Sequence, residues 1–397
     1  MKDIVIITNF CASLSKSANS RFTYIADMLY KNNDVEIVSS GFSHDDKKKR
    51  VCDYSKFPNY KITLVDEPGY KKNISILRFV SHHVWGKKVY KYIKSRRKPD
   101  LVYCAIPSLT VAAKVGAFCQ KNGIRFIIDV QDLWPEAFQM VFNVPFISKM
   151  LFFPFKKMAD KSYSFANEII AVSQTYADRA LRVNNICKDT HVVFLGTNLD
   201  TYDSSSIDNT VSKPLGEIWV AYCGTLGSSY DITCVIDAIS ILQIRGYANI
   251  KFVIMGDGPR KEEFEKYASN KKIKAQFLGS LPYPRMCGIL SACDIVVNPI
   301  THGAAQSIIN KHADYAASGL PVVNTQECIE YRNLIDEYNM GFNCNNNDAK
   351  DMAEKLAKLI DNKELRIQMG KNARRCAEEK FDRRYSYQEI VRAIYGN

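Results

Sequence analysis

Lys311 and Asp314 stand three residues apart in the stretch Gly303–Asn324, GAAQSIINKHADYAASGLPVVN. The stretch reads as loop, helix, tight turn and buried strand. Ser307 or Asn310 can cap the helix start. Gly319 stands where the helix ends, and Pro321 stops it as the chain enters a strand. Residues three apart share one helix face. A helix N-terminus that carries a lysine is a ready site for a phosphate, and a carboxylate one turn further in can accept hydrogen bonds from sugar hydroxyls. The plainer alternative is a surface helix with a solvated Lys–Asp pair. A second group is Gln131-Asp132-Leu133-Trp134-Pro135-Glu136, directly after the apolar run Arg125–Val130. Polar groups and a tryptophan past a strand's carboxyl end lie where doubly wound sheets bind ligands; the alternative is a structural turn around a packed tryptophan. His82 and His83 are adjacent and cannot share a helix face, so no metal site is expected there.

Something must position these groups, and the hydrophobic pattern supplies it. Ile4–Thr8 is a short all-apolar run, as a central parallel strand requires. A Ser-, Asn- and Ala-rich loop, Asn9–Ser20, follows, then a helix-spaced segment, Arg21–Tyr30, and a second strand, Asp34–Ser39. The alternation resumes with Leu101–Ala105, a helix from Ser108 to Asn122, and Arg125–Val130. Strand, loop, helix, strand is the opening of a doubly wound sheet. No G-x-G-x-x-G word follows the first strand, which argues against a simple nicotinamide or flavin site. After Thr201–Gly216, weakly patterned and read as a linker, the plan repeats. Ile218–Cys223 is a strand, Gly224–Tyr230 a glycine-bearing loop, Asp231–Leu242 a helix, and Lys251–Met255 a strand closed by the tight turn Gly256–Pro259. Two such halves imply two Rossmann-like domains around a cleft.

The 397 residues are 46% hydrophobic and 24% charged, enough for two or three cores and incompatible with a disordered chain. The net charge of +12 implies an anionic partner: nucleic acid, an acidic bilayer face or a phosphorylated substrate. Twelve scattered cysteines without a Cys-x-x-Cys pair read as reduced core thiols in a cytosolic protein. The N-terminus enters a strand at once, so no signal peptide is expected, and no apolar run is long enough to span a bilayer.

Five words then occur in order: Cys223-Gly224-Thr225-Leu226-Gly227; Phe252–Pro259, FVIMGDGP; Phe277-Leu278-Gly279; Ala292-Cys293-Asp294; and Asn310–Val323, NKHADYAASGLPVV. Together they resemble the family-4 retaining glycosyltransferases of the α/β GT-B fold. Asp132-Leu133-Trp134-Pro135-Glu136 resembles the subgroup that builds bacterial capsular polysaccharide, O-antigen and exopolysaccharide repeats. The resemblance covers nearly the whole chain and is strongest from Ile218 to Asn324. It implies an acceptor-binding Rossmann-like domain over 1–200, a linker over 201–216, a nucleotide-sugar-binding domain over 217–380, and a helix over 381–397 returning to the first domain.

The resemblance also assigns roles. The family's donor site has two acidic residues separated by seven, the second just before a small-residue run ending in glycine. Asp314 fits the second position and is expected to bind the donor ribose. The first falls on Gln306, an amide where the family has a glutamate; it can hydrogen-bond sugar hydroxyls but adds no negative charge near the anomeric carbon. The amides of Ser307, Ile308, Ile309 and Asn310, with Lys311, are expected to face the diphosphate, and the turn at Leu281 the nucleobase. Thr225, Gly256 and Asp257 complete the expected donor-binding set. The loop after Ile218–Cys223 lacks the family's arginine and lysine, which leaves Lys311 and Arg21 to meet the phosphate charge. Asp132 and Glu136 are candidates for positioning the acceptor hydroxyl. No Asp-x-Asp word follows a strand, so metal independence is expected, with no cofactor beyond the nucleotide-sugar substrate.

The expected activity is sugar transfer from a nucleotide-diphosphate donor, a UDP-sugar on the subgroup's habits, to a lipid-linked saccharide at the cytoplasmic membrane face, with no nucleic-acid partner. Val144–Lys157, VPFISKMLFFPFKK, has apolar and basic residues suited to a membrane surface, or equally to a core helix. Two other readings compete. A non-hydrolysing nucleotide-sugar epimerase shares the fold but needs several acid–base groups near the sugar, and few surround Gln306. A non-catalytic basic module predicts steep salt dependence and no donor affinity.

Overall fold

The computed structural model describes residues 1–11, 20–44, 46–72, 75–136, 145–187, 190–304 and 307–396, the side chains of 145–151 excepted. Gln306, residues 12–19 of the Asn9–Ser20 loop, and Val144 lie outside the described residues. The chain divides into two compact units, Met1–Val193 with Tyr387–Asn397, and Phe194–Ser386.

In the first unit the strands of the main sheet are β1 (Lys2–Thr8), β2 (Asn33–Ser40), β3 (Lys61–Val65), β4 (Leu101–Ile106), β5 (Arg125–Val130), β6 (Glu168–Ala171) and β7 (Thr190–Val192). They form a parallel sheet in the order β3-β2-β1-β4-β5-β6-β7. Ile4, Val5, Ile6 and Ile7 of β1 are all fully buried, as are Val102, Tyr103 and Cys104 of β4. Burial on both faces is why these strands read as continuous apolar words rather than alternating ones. Ile7 pairs with Cys104, and Ile106 with Val130, so the carboxyl ends of the central strands share one edge. Residues 131–136 leave the sheet at that edge.

The helix Gln388–Tyr395 packs in this unit through Ile390, Ala393 and Ile394, which join Ile4, Phe22 and Leu29 in one apolar cluster. Arg125 anchors its C-terminus by donating to the carbonyls of Ala393 and Ile394, at 2.6 and 2.8 Å. A single helix from Phe381 is not formed: the chain breaks into Arg383–Ser386 and Gln388–Tyr395.

The second unit has β8 (Ile218–Cys223), β9 (Ile250–Met255), β10 (Ala275–Phe277), β11 (Ile295–Asn298), β12 (Val322–Asn324) and β13 (Gly341–Asn343), parallel, in the order β10-β9-β8-β11-β12-β13. Thr201–Gly216, expected as a linker, is helical in its first half. Leu199–Asp208 is a helix capped by Asn198, whose side chain accepts from the Thr201 amide, and it buries Leu199, Tyr202 and Ser205. Its apolar content is two anchors in ten residues, too little for periodicity to declare it. Arg374 holds it with paired hydrogen bonds to Asp203 at 2.6 and 2.8 Å.

All twelve cysteines are free, and eleven are buried. Burial pushes several of their thiols well up; Cys11, for one, lies near 11. No described helix is long and apolar enough to cross a membrane.

Candidate active site

Asn310–Ala317 forms the expected helix, with Ile309 rather than Ser307 or Asn310 at the cap position and no side-chain cap on its first-turn amides. The Ile309 amide instead donates to His312 Nδ1 at 3.1 Å. That amide is therefore engaged inside the protein, unlike the expectation that it faces a ligand. Ser307 and Ile308 are buried, and the Ser307 carbonyl accepts from Gln326 Nε2 at 2.8 Å.

Both His312 and Gln326 belong to a polar network at the carboxyl ends of three adjacent strands. Asn298, Asn324 and Asn343 are in register. The Asn298 amide donates to Asn324 Oδ1 at 2.8 Å, and Asn324 to Asn343 Oδ1 at 3.0 Å. Asn298 also meets Gln326 Oε1 and His312 Nε2, each at 3.1 Å. His312 is fully buried and stacks on Tyr331, with ring centroids 3.6 Å apart. Burial and the nearby Lys311 charge hold its imidazole neutral, as acceptance of the Ile309 amide requires. The network holds Ser307 and Ile309 at the entry to the helix.

Lys311 and Asp314 share a helix face but make no ion pair with each other among the described residues. The solvated pair is thereby replaced by two separate environments. The Lys311 ammonium donates to the Tyr222 hydroxyl at 3.3 Å. It lies 4.4 Å from the ring centre of Tyr222 and 4.0 Å from that of Tyr230. Aromatic faces attract a cation but do not neutralise it. Burial pushes its pKa down to about 7. An arriving anion would restore the charge.

Asp314 Oδ1 accepts from the Tyr283 hydroxyl at 2.9 Å, and Tyr283 in turn meets Thr197 Oγ1 at 3.1 Å. Burial raises this carboxyl to about 6, against opposing contributions from Tyr283, Thr197 and the Arg383 charge. Tyr315, the next residue, is buried, and its hydroxyl accepts from the Cys223 amide at 2.8 Å. This fastens the helix to the carboxyl end of β8.

The loop after β8 is built to lie close to Lys311. Gly224 has φ +141°, and a β-carbon there would lie 2.9 Å from Lys311 Nζ. Gly256 and Gly258 let this loop press on the turn after β9; their β-carbons would overlap the carbonyl oxygens of Gly224 and Leu226. Thr225 and Asp257 are exposed beside them. Thr225 contributes its carbonyl to the Tyr222 hydroxyl, at 2.7 Å. Leu281 is partly buried against the core below β8. Tyr222, Tyr283, His312 and Gln326 were not among the expected site residues. Tyr222 sits in an apolar strand word, IWVAYC, where nothing distinguishes it from a packed side chain.

In the first unit, Asp132 and Glu136 lie on one loop in different settings. Asp132 Oδ2 accepts from Trp134 Nε1 at 3.0 Å, and burial raises its pKa against the pull of Arg78. Trp134 is buried, stacks on His82 at 5.4 Å, and carries the Arg78 guanidinium 4.5 Å above its ring. Glu136 pairs with Arg179 at 2.6 Å, which also holds Asp160 at 2.6 Å.

Arg21 is not placed to meet phosphate. It is buried against Asp129, at 2.7 Å, with Tyr387 beneath it at 4.8 Å. Asp129 is fully buried and also accepts from Tyr103 at 2.8 Å. A buried carboxylate this well satisfied needs its counter-charge in place, which commits Arg21 to the core.

Residues 203–376 match the family of glycosyl transferases group 1. Over 95% of this chain and 94% of the relative, the sequence is 22% identical to the capsular polysaccharide biosynthesis glycosyltransferase CapM of Staphylococcus aureus. The structure superposes on Anabaena Alr3699/HepE in complex with UDP with a TM-score of 0.72 at 15% identity, covering all of both chains. It superposes on WaaG, a glycosyltransferase involved in lipopolysaccharide biosynthesis, with a TM-score of 0.68 at 14% identity, covering 99% of this chain and all of the other. The fold is GT-B, with two Rossmann-like α/β units. The family match and the CapM relationship support a glycosyltransferase of group 1.

Proposed function

We propose that the protein is a retaining, metal-independent glycosyltransferase of the family-4 type that moves a sugar from a UDP-sugar to a lipid-linked saccharide during synthesis of a bacterial surface polysaccharide. The observation that carries this reading is Lys311. It is an amine in the first turn of a helix, lowered in pKa to about 7 by burial and held between two tyrosine faces without a carboxylate partner among the described residues. Such a site gains its full positive charge when an anion arrives.

The chemistry follows. The anomeric C–O bond of the donor breaks, and negative charge grows on the nucleoside diphosphate. Lys311 and the uncapped first-turn amides stabilise that charge, where a preorganised positive site gains most. Asp314 takes the ribose hydroxyls in place of Tyr283. The acceptor hydroxyl adds to the face the diphosphate leaves, and its proton passes to the departing phosphate oxygen. Asp132, aligned by Trp134, orients that hydroxyl. Glu136 supports the loop through Arg179. Gln306 retains its proposed place beside the transferred sugar. The basic chain, +12 overall, docks on the anionic inner face of the membrane.

The test is a panel of nucleotide sugars incubated with the protein, reading slow donor hydrolysis with and without saccharide acceptors. Release of UDP from one UDP-sugar, accelerated by acceptor, supports the reading. Epimerised donor with no UDP released would replace it with the epimerase.

A further inference from the structure

The first unit holds an apolar groove of about 380 Å³ between the helices Ile76–Ser95 and Pro145–Ser164. Phe79, Val80, Leu109, Pro154, Phe155 and Met158 line its length. The rings of Phe79 and Phe155 pack 4.8 Å apart, tilted by 52°. Its floor is rigid, because Gly86 lets the first of these helices press against Thr110 and Val111, where a β-carbon would lie within 3 Å of both. Its volume falls in the range of about 300–1,000 Å³ typical of small-molecule sites.

Its two ends differ. At the inner end His82 and Trp134 form the wall, and Trp134 is hydrogen-bonded to Asp132. At the outer end large apolar side chains face solvent: Ile76 is 81% exposed, Leu77 63% and Phe153 54%. Lys156 and Lys157 are exposed beside Phe153, with Lys157 over its ring at 4.8 Å. Exposed apolar clusters of this kind mark a binding surface, and the lysines select an anionic amphiphile.

We infer that the groove takes the hydrocarbon chain of the acceptor, an isoprenoid or similar apolar chain joined to an anionic diphosphate, and leads its head toward Asp132. The inference rests on the proposed transfer reaction for the identity of the acceptor, and on the groove alone for the chemistry of the chain. The outer residues touch the bilayer, whereas the inner ones hold the chain itself. Binding at the two can be separated.

Farnesyl diphosphate, kept below its micelle concentration, and inorganic pyrophosphate are titrated calorimetrically. The expected result is that farnesyl diphosphate binds at least about tenfold tighter, a factor that burial of two methylene groups alone reaches. Val80→Glu and Met158→Glu, within the groove, remove that advantage. Leu77→Glu and Phe153→Glu, outside its lining, keep it while lowering flotation with anionic vesicles. Val80 is half exposed, so its variant folds; thermal unfolding verifies all four. Equal affinity for the two probes overturns the inference, as does equal loss from groove and rim variants, which would mean a membrane-docking face only. A wild-type protein that prefers farnesyl diphosphate but releases no UDP from any donor leaves the groove standing and refutes the transfer reaction instead.

Discussion

Gly224 and Lys311 are matched: the backbone of one passes so close to the ammonium of the other that a single β-carbon would meet it at 2.9 Å. Gly224→Ala therefore acts twice. It forces φ +141° on a residue that disfavours it, at a cost of about 1–3 kcal/mol, and it displaces Lys311. Donor affinity should fall at least about tenfold. Gly246→Ala, also at positive φ but with nothing within 4 Å, should cost stability alone; denaturant unfolding beside donor titration separates the two effects.

Lys311→Ala should lower kcat by about 2–4 kcal/mol in barrier, the worth of one donor to a developing oxyanion, with little change in folding. Turnover equal to wild type would mean that the lysine merely packs between Tyr222 and Tyr230.

Donor binding should depend on pH in both directions. Lys311 titrates near 7 and Asp314 near 6 in the free protein. Above pH 7 the lysine is neutral and must take up a proton to hold a diphosphate, so affinity falls by up to about tenfold per pH unit. Below pH 6 the carboxyl is protonated and must lose its proton to accept from the ribose, so affinity falls again. UDP-glucose is the proper probe, because its diphosphate has no proton that titrates near 6 as a terminal phosphate does. Asp314→Asn should remove the acidic limb and cost about 1.5–3 kcal/mol. A flat profile from pH 5 to 9 would contradict both assignments.

Asp129→Ala should destabilise the first unit by about 3–5 kcal/mol, since it strands the Arg21 guanidinium in the core. Urea unfolding followed by circular dichroism measures this. A near-neutral effect would free Arg21 for a role outside the core.

The sheet strands were legible because burial on both faces leaves an unbroken apolar word; Ile4–Ile7 and Val220–Cys223 could be nothing else. Lys311 and Asp314 were legible because three residues is a helix period. What spacing does not carry is partnership across the fold. Nothing near Arg21 in sequence announces Asp129, its partner 108 residues on. Nor does Asn310, a good capping residue, reveal that His312 reaches back to the Ile309 amide. The helix Ile329–Tyr338 buries Tyr331, Leu334, Ile335 and Tyr338 at helical spacing, a signal present just after Asn324, where no element was expected. The helix Leu199–Asp208 gives no such signal, with only Leu199 and Tyr202 apolar and buried.

Binding of the donor diphosphate by Lys311 and the start of its helix is measured by calorimetric titration of UDP and uridine into wild type and Lys311→Ala. Wild type should bind UDP far more tightly than uridine. The variant should lose most of that difference while its uridine affinity stays unchanged. Equal UDP affinity in the two proteins would contradict it.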